Sequence, residues 1–120
     1  MHTIITGVHM EITDAIRSYT LEKMHSLDKL IARDDTSAKL FVELSRTSNH
    51  HTNGQIFQAE ALLRIKGKEK SFKTTQDDLY KAIDILKDML LREISQHKDK
   101  ERSVFRRGAH QVKSLFKKLV

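Results

Sequence analysis

Residues 38–46 read AKLFVELSR, and their alternation decides the fold class. Ala38, Leu40, Val42 and Leu44 face one way, while Lys39, Glu43 and Ser45 face the other. Period two with one wet face predicts a half-buried strand in a sheet dominated by antiparallel pairs. A polar run, TSNHHTNG (47–54), leads into IFQAEALLRIK (56–66), where Phe57, Ala59, Ala61, Leu63 and Ile65 share a face. A tight turn at Lys66-Gly67 then joins KEKSFKTT (68–75), so these two strands form a hairpin.

Outward from this meander the period changes. HTIITG (2–7) is short, β-branched and closed by Gly7, which predicts a first strand. Ile12, Ala15, Ile16, Tyr19, Leu27, Leu30 and Ile31 recur at helical spacing after a start at Thr13-Asp14. That helix is expected to reach about Arg33, where RDDTS supplies polar punctuation. A second helix is predicted from a capping-box-like spacing of Thr75 to Asp78, with the stripe Leu79, Ile83, Leu86, Leu90 and Ile94, reaching about Lys100. The order is β-α-β-β-β-α. Such an α+β chain is most economically built as a four-stranded sheet with both helices packed on one face.

The chain has 120 residues, enough for one core, and 22 Lys and Arg against 16 Asp and Glu give a net charge of +6. Five basic residues and no acid lie after Arg102, so residues 1–102 hold 17 against 16 and a charge of only +1. The sequence therefore divides into a nearly neutral domain (1–102) and a basic tail (103–120). An asymmetry of this kind points to a polyanionic partner. In the tail, Val112, Leu115, Phe116 and Leu119 recur at helical spacing beyond Gly108, with Lys113, Lys117 and Lys118 between them.

Several chemistries find no support. Cysteine is absent, which rules out disulfides and thiolate metal sites and fits a reducing cytoplasm. Neither a secretory leader nor an apolar run of membrane-spanning length is legible, so a soluble cytoplasmic protein is expected. The glycines are scattered at turns and form no phosphate loop, and no nucleophile motif is present. His50 and His51 are neighbours on extended chain and point apart, which suits one metal ion poorly. His97 lies near an apolar stripe and reads as a hydrogen-bonded helix-end residue. The expectation is a protein that is no enzyme and uses no cofactor, metal or small-molecule substrate.

The helices carry the informative charges. On the second, Lys81 and Arg92 are eleven residues apart and nearly in line on the side away from the stripe, with Lys100 at the edge of that face. Lys87 and Lys98 share a flank with Tyr80, and Asp88 and Asp99 lie close by. The first offers Arg17 and Lys29 away from its stripe, with Arg33 at its end. Lys23 falls inside the apolar arc, so its stem should pack while its ammonium escapes at the edge.

The segments ITGVHMEITDAIRSY (5–19), DLYKAID (78–84) and HKDK (97–100) resemble the ribosome hibernation promoting factors, a family that includes the ribosome-associated inhibitor of translation. The resemblance runs from Met1 to about Arg102. It implies a fold similar in outline to a double-stranded-RNA-binding domain, and binding to the small ribosomal subunit and its rRNA in the decoding channel. There the protein would block mRNA and the A- and P-site tRNAs. The family pattern matches Arg17, Lys23 and Arg33 on the first helix, and Tyr80, Arg92, His97, Lys98 and Lys100 on the second. Ser26, Met89 and Gln96 stand where further basic residues are expected.

By this reading rRNA is bound by Arg17, Lys23, Lys29, Arg33, Tyr80, Lys81, Lys87, Arg92, His97, Lys98 and Lys100. Tyr80 is expected to pack its ring and hydrogen-bond its hydroxyl more readily than to stack on a base. Arg106, Arg107, Lys113, Lys117 and Lys118 would extend the contact along rRNA or a ribosomal protein; neither DNA nor a membrane is an expected partner. The alternatives from other classes are a general RNA-binding regulator acting outside the ribosome, and a protein or membrane-surface adaptor working through the tail.

Overall fold

The computed structural model of the chain describes residues 1–31, 37–48 and 54–96. Strand β1 is His2–Val8, helix α1 is Asp14–His25, and strands β2, β3 and β4 are Lys39–Ser48, Gln55–Ile65 and Lys68–Gln76. The described part of helix α2 covers residues 79–96. The sheet order is β1-β2-β3-β4, parallel between β1 and β2 and antiparallel elsewhere. A parallel pair needs a crossover connection, and α1 supplies it. The two long strands and the hairpin that follow are the meander expected from residues 38–75.

Register carries the alternation into a core. Leu40 lies opposite Leu63, Val42 opposite Ala61, and Leu44 opposite Ala59. Ala61 in turn faces Phe72 of β4. All seven are buried, together with Ile5 of β1, Met24 and Leu27 from the α1 side, and Leu79, Ala82, Ile83, Leu86, Leu90 and Ile94 of α2. Both helices therefore cover one face of the sheet. Each large aliphatic side chain so removed from water contributes about 1.5–3 kcal/mol against the entropy of ordering the chain.

Among the described residues no helix or strand covers the opposite face. Across it, Ile4, Phe41 and Leu62 stand side by side on β1, β2 and β3. The next row is Thr6, Glu43, Glu60 and Lys73. On the other side of the apolar row, the Arg64 guanidinium lies 5.7 Å from the Phe41 ring centre and donates a 2.7 Å hydrogen bond to Glu69.

Two glycines answer different requirements. Lys66 and Gly67 both take positive φ, 51° and 77°, the twist a two-residue hairpin turn requires. Gly7 does not end β1, which continues to Val8. A Cβ on Gly7 would lie 2.5 Å from the Met10 carbonyl oxygen and 2.9 Å from Ile12 Cγ1. Its requirement is space.

Four expectations are corrected. Helix α1 stops at His25, eight residues short of Arg33, with Ser26 as its C-cap. The Ser26 hydroxyl donates to the Lys23 carbonyl at 2.6 Å, and a 3-10 turn follows at Asp28–Leu30. Leu27 is fully buried and Leu30 and Ile31 pack against the core, so the apolar spacing persisted after the helix had ended. Ala15 is exposed, and the buried face of α1 uses Thr20 and Met24 instead. Thr20 is accommodated because its hydroxyl donates to the Ile16 carbonyl at 2.8 Å. At the start of α2 the cap is Asp78, whose carboxylate accepts from the backbone N–H of Tyr80 at 2.8 Å and of Lys81 at 3.2 Å. Thr75 belongs to β4.

Candidate nucleic-acid interface

Four side chains join the helices: Tyr19 and Lys23 on α1, Tyr80 and Asp84 on α2. Each pair is one helical turn apart, so both point into one seam. The Tyr19 hydroxyl donates a 2.6 Å hydrogen bond to Asp84 Oδ1. Rings of Tyr19 and Tyr80 meet edge to face, 4.8 Å between centres at 90°. Lys23 Nζ lies 3.5 Å from the same Asp84 oxygen and 5.4 Å from the Tyr19 ring centre. Hydrogen bonding to the Asp84 carboxylate, reinforced by burial, pushes the Tyr19 phenol up to about 12. The two helices run in the same direction, since each is antiparallel to the strand before it and β1 and β4 are parallel.

Around this seam the expected cations separate into three groups. Arg17, Lys81 and Arg92 are exposed on the helices, and Lys29 is exposed on the 3-10 turn, not on α1 as its periodicity suggested. Lys23 is tethered to Asp84, and it is its ammonium that lies toward the Tyr19 ring. Lys87 is half-buried, 3.7 Å from Asp88. Lys81 reaches Asp77 only at 4.0 Å across exposed surface, an ion pair worth little. Arg33, His97, Lys98 and Lys100 lie outside the described residues, as do His50, His51 and Arg106, Arg107, Lys113, Lys117 and Lys118 of the tail.

Tyr80 is 42% exposed and its ring packs on Tyr19 as expected. Its hydroxyl makes no hydrogen bond among the described residues, so only the packing half of the expectation is met. Of the three positions lacking a base, Ser26 caps α1, Met89 packs against the core, and Gln96 is exposed. Sequence reading missed Asp84, the residue that ties the seam. The available signal was a tyrosine in an apolar stripe whose hydroxyl needed a partner, and an acid one turn beyond Tyr80.

The arrangement is a pair of helices joined through the seam, with exposed Arg17, Lys81 and Arg92 interspersed with exposed Asp14, Glu22 and Asp88. Among the described residues no cluster of three metal-ligating side chains occurs. None of the described helices is long and apolar enough to cross a membrane.

Comparison with known proteins identifies the family and the fold. The family model described as Sigma 54 modulation protein / S30EA ribosomal protein matches residues 3–102. The ribosome hibernation promoting factor of Escherichia coli K12 is 33% identical over 100 residues, covering 83% of this chain and 96% of the relative. The protein of that name from Pseudomonas putida is 29% identical over 109 residues, covering 91% and 98%. Among solved structures, the N-terminal domain of Thermus thermophilus Protein Y aligns with a TM-score of 0.68 and 28% identity, over 81% of this chain and 99% of that one. A ribosomal subunit interface protein from Coxiella burnetii shares the fold, with a TM-score of 0.66 at 24% identity over 82% and 99% of the two chains.

Proposed function

The chain belongs to the Sigma 54 modulation protein / S30EA ribosomal protein family, and from that membership we propose that it is a ribosome hibernation factor which lodges in the decoding channel of the small subunit. The observation that carries this reading is the seam. A hydrogen bond and an edge-to-face ring contact lock α1 to α2, so Arg17, Lys81 and Arg92 are held on one rigid body that need not reorganise on docking.

The work is done by occupancy. A folded wedge in the channel excludes mRNA and the A- and P-site tRNAs without any chemistry. Phosphate contacts from Arg17, Lys29, Lys81 and Arg92, with Arg33, His97, Lys98 and Lys100, release counterions and supply most of the affinity. Structured rRNA is read by shape and backbone, which suits a surface with many cations and few groups for base edges. Lys23 contributes less than its charge suggests, since Asp84 already neutralises it. The basic residues of 103–120 extend the contact and compensate for Ser26, Met89 and Gln96.

Co-sedimentation of the protein with purified small subunits, with and without tRNA, tests the proposal. Binding that tRNA displaces supports the channel. Binding to unrelated structured RNA with equal affinity, indifferent to tRNA, would show a general RNA-binding regulator instead.

A further inference from the structure

The open face of the sheet carries an apolar row where solvent is expected. Ile4 is 38% exposed, and Phe41 and Leu62 beside it are half-buried with no element over them among the described residues. We propose that this row is the seat of the chain's own segment 112–119, laid across the sheet as an amphipathic helix. The inference concerns the isolated protein and does not rest on ribosome binding.

Three observations choose this occupant over a second copy or another protein. The first is pattern. Val112, Leu115, Phe116 and Leu119 follow the i, i+3, i+4, i+7 spacing of a single helical stripe, with Lys113 and Lys117 on one flank and Lys118 on the other. A helix this short is marginal in water without a surface to bury its stripe. The second is charge. The segment has no acid, and the row adjoining Ile4, Phe41 and Leu62 sets Glu43 directly opposite Glu60. Lys73 stands opposite Glu60, whereas Glu43 has Thr6 on its other side, so a flanking lysine would answer the carboxylate that lacks a cross-strand cation.

The third is reach. Lys70 holds Glu93 at 2.8 Å, fixing the last described turns of α2 beside the β4 position paired with Leu63. Leu63 is the immediate neighbour of Leu62, so the last described turns of α2 lie at the same end of the sheet as the apolar row. Residues 97–111 intervene before Val112 and span up to about 50 Å extended, against a packed-layer spacing of about 10 Å. Tethering also places the segment at millimolar effective concentration, far above that of any second copy at working dilution. Once seated, the segment hides the apolar row and turns its lysines outward, so a face with little net charge becomes basic.

The absence of cysteine makes the test clean. In the full chain, Leu62→Cys with Leu115→Cys is oxidised and compared with Ser18→Cys with Leu115→Cys, whose first site is exposed on α1. The expected result is an intrachain disulfide forming at least about tenfold faster in the first pair, because docking adds proximity to the tether. Equal rates, or disulfides forming mainly between chains, would overturn the proposal. A second readout covers variants that fold poorly. Methyl resonances of Ile4 and Leu62 in the otherwise native chain should move with Phe116→Glu, and unmoved resonances would sink it.

Discussion

At the scale of single residues, Tyr19 has the most to lose from a change of pH. Its phenol stands at about 12 in the folded protein because the neutral O–H donates to the Asp84 carboxylate. An unfolded tyrosine titrates near 10, so the folded state holds its proton more tightly. The resulting stability is fully present below pH ~10 and is lost as pH rises toward about 12. Tyr19→Phe should therefore be less stable than wild type at pH 7, and the gap should close between pH ~10 and ~12 in urea titrations. Gly7→Ala should cost about 1–3 kcal/mol, since its Cβ would meet the Met10 carbonyl and Ile12. Neither effect is legible without coordinates. The seam bond spans residues 19 and 84, and Gly7 read as a stop signal because nothing local reveals a crowded backbone.

Among the elements, α2 does most of the core's work. Ile83, Leu86 and Leu90 are fully buried on its inner side, and Leu90→Ala should cost about 2–5 kcal/mol in equilibrium unfolding. Arg92→Glu on its exposed side, together with Lys100→Glu further along the chain, should weaken the proposed binding to small subunits at least about tenfold. An unchanged thermal melt would locate that loss in docking. Full co-sedimentation of the double variant would place the interface elsewhere. The strands and α2 were legible because their alternation or stripe is continuous, from Leu40 to Leu44 and from Leu79 to Ile94. The end of α1 was not. Periodicity reports which residues are buried, and a 3-10 turn buries Leu27 as well as an α-helix would. Only the Ser26 cap distinguishes the two, and serine is common in both settings.

At the scale of the molecule, the described helices carry exposed Arg17, Lys81 and Arg92 interspersed with exposed Asp14, Glu22 and Asp88, and on the sheet face Lys39, Arg64 and Lys73 offset Glu43, Glu60 and Glu69. Removing 103–120 takes away five positive charges. If these contribute to the proposed rRNA contact, the slope of log affinity against log salt should flatten by up to about 4, while competition with tRNA persists. An unaltered slope would confine the interface to the helices. The order of synthesis gives the seam one more consequence. Tyr19 and Lys23 are made early, but their partners Tyr80 and Asp84 lie some sixty residues downstream. A nascent chain therefore owns only half of this seam until α2 has emerged, and the docking surface proposed above is incomplete until then.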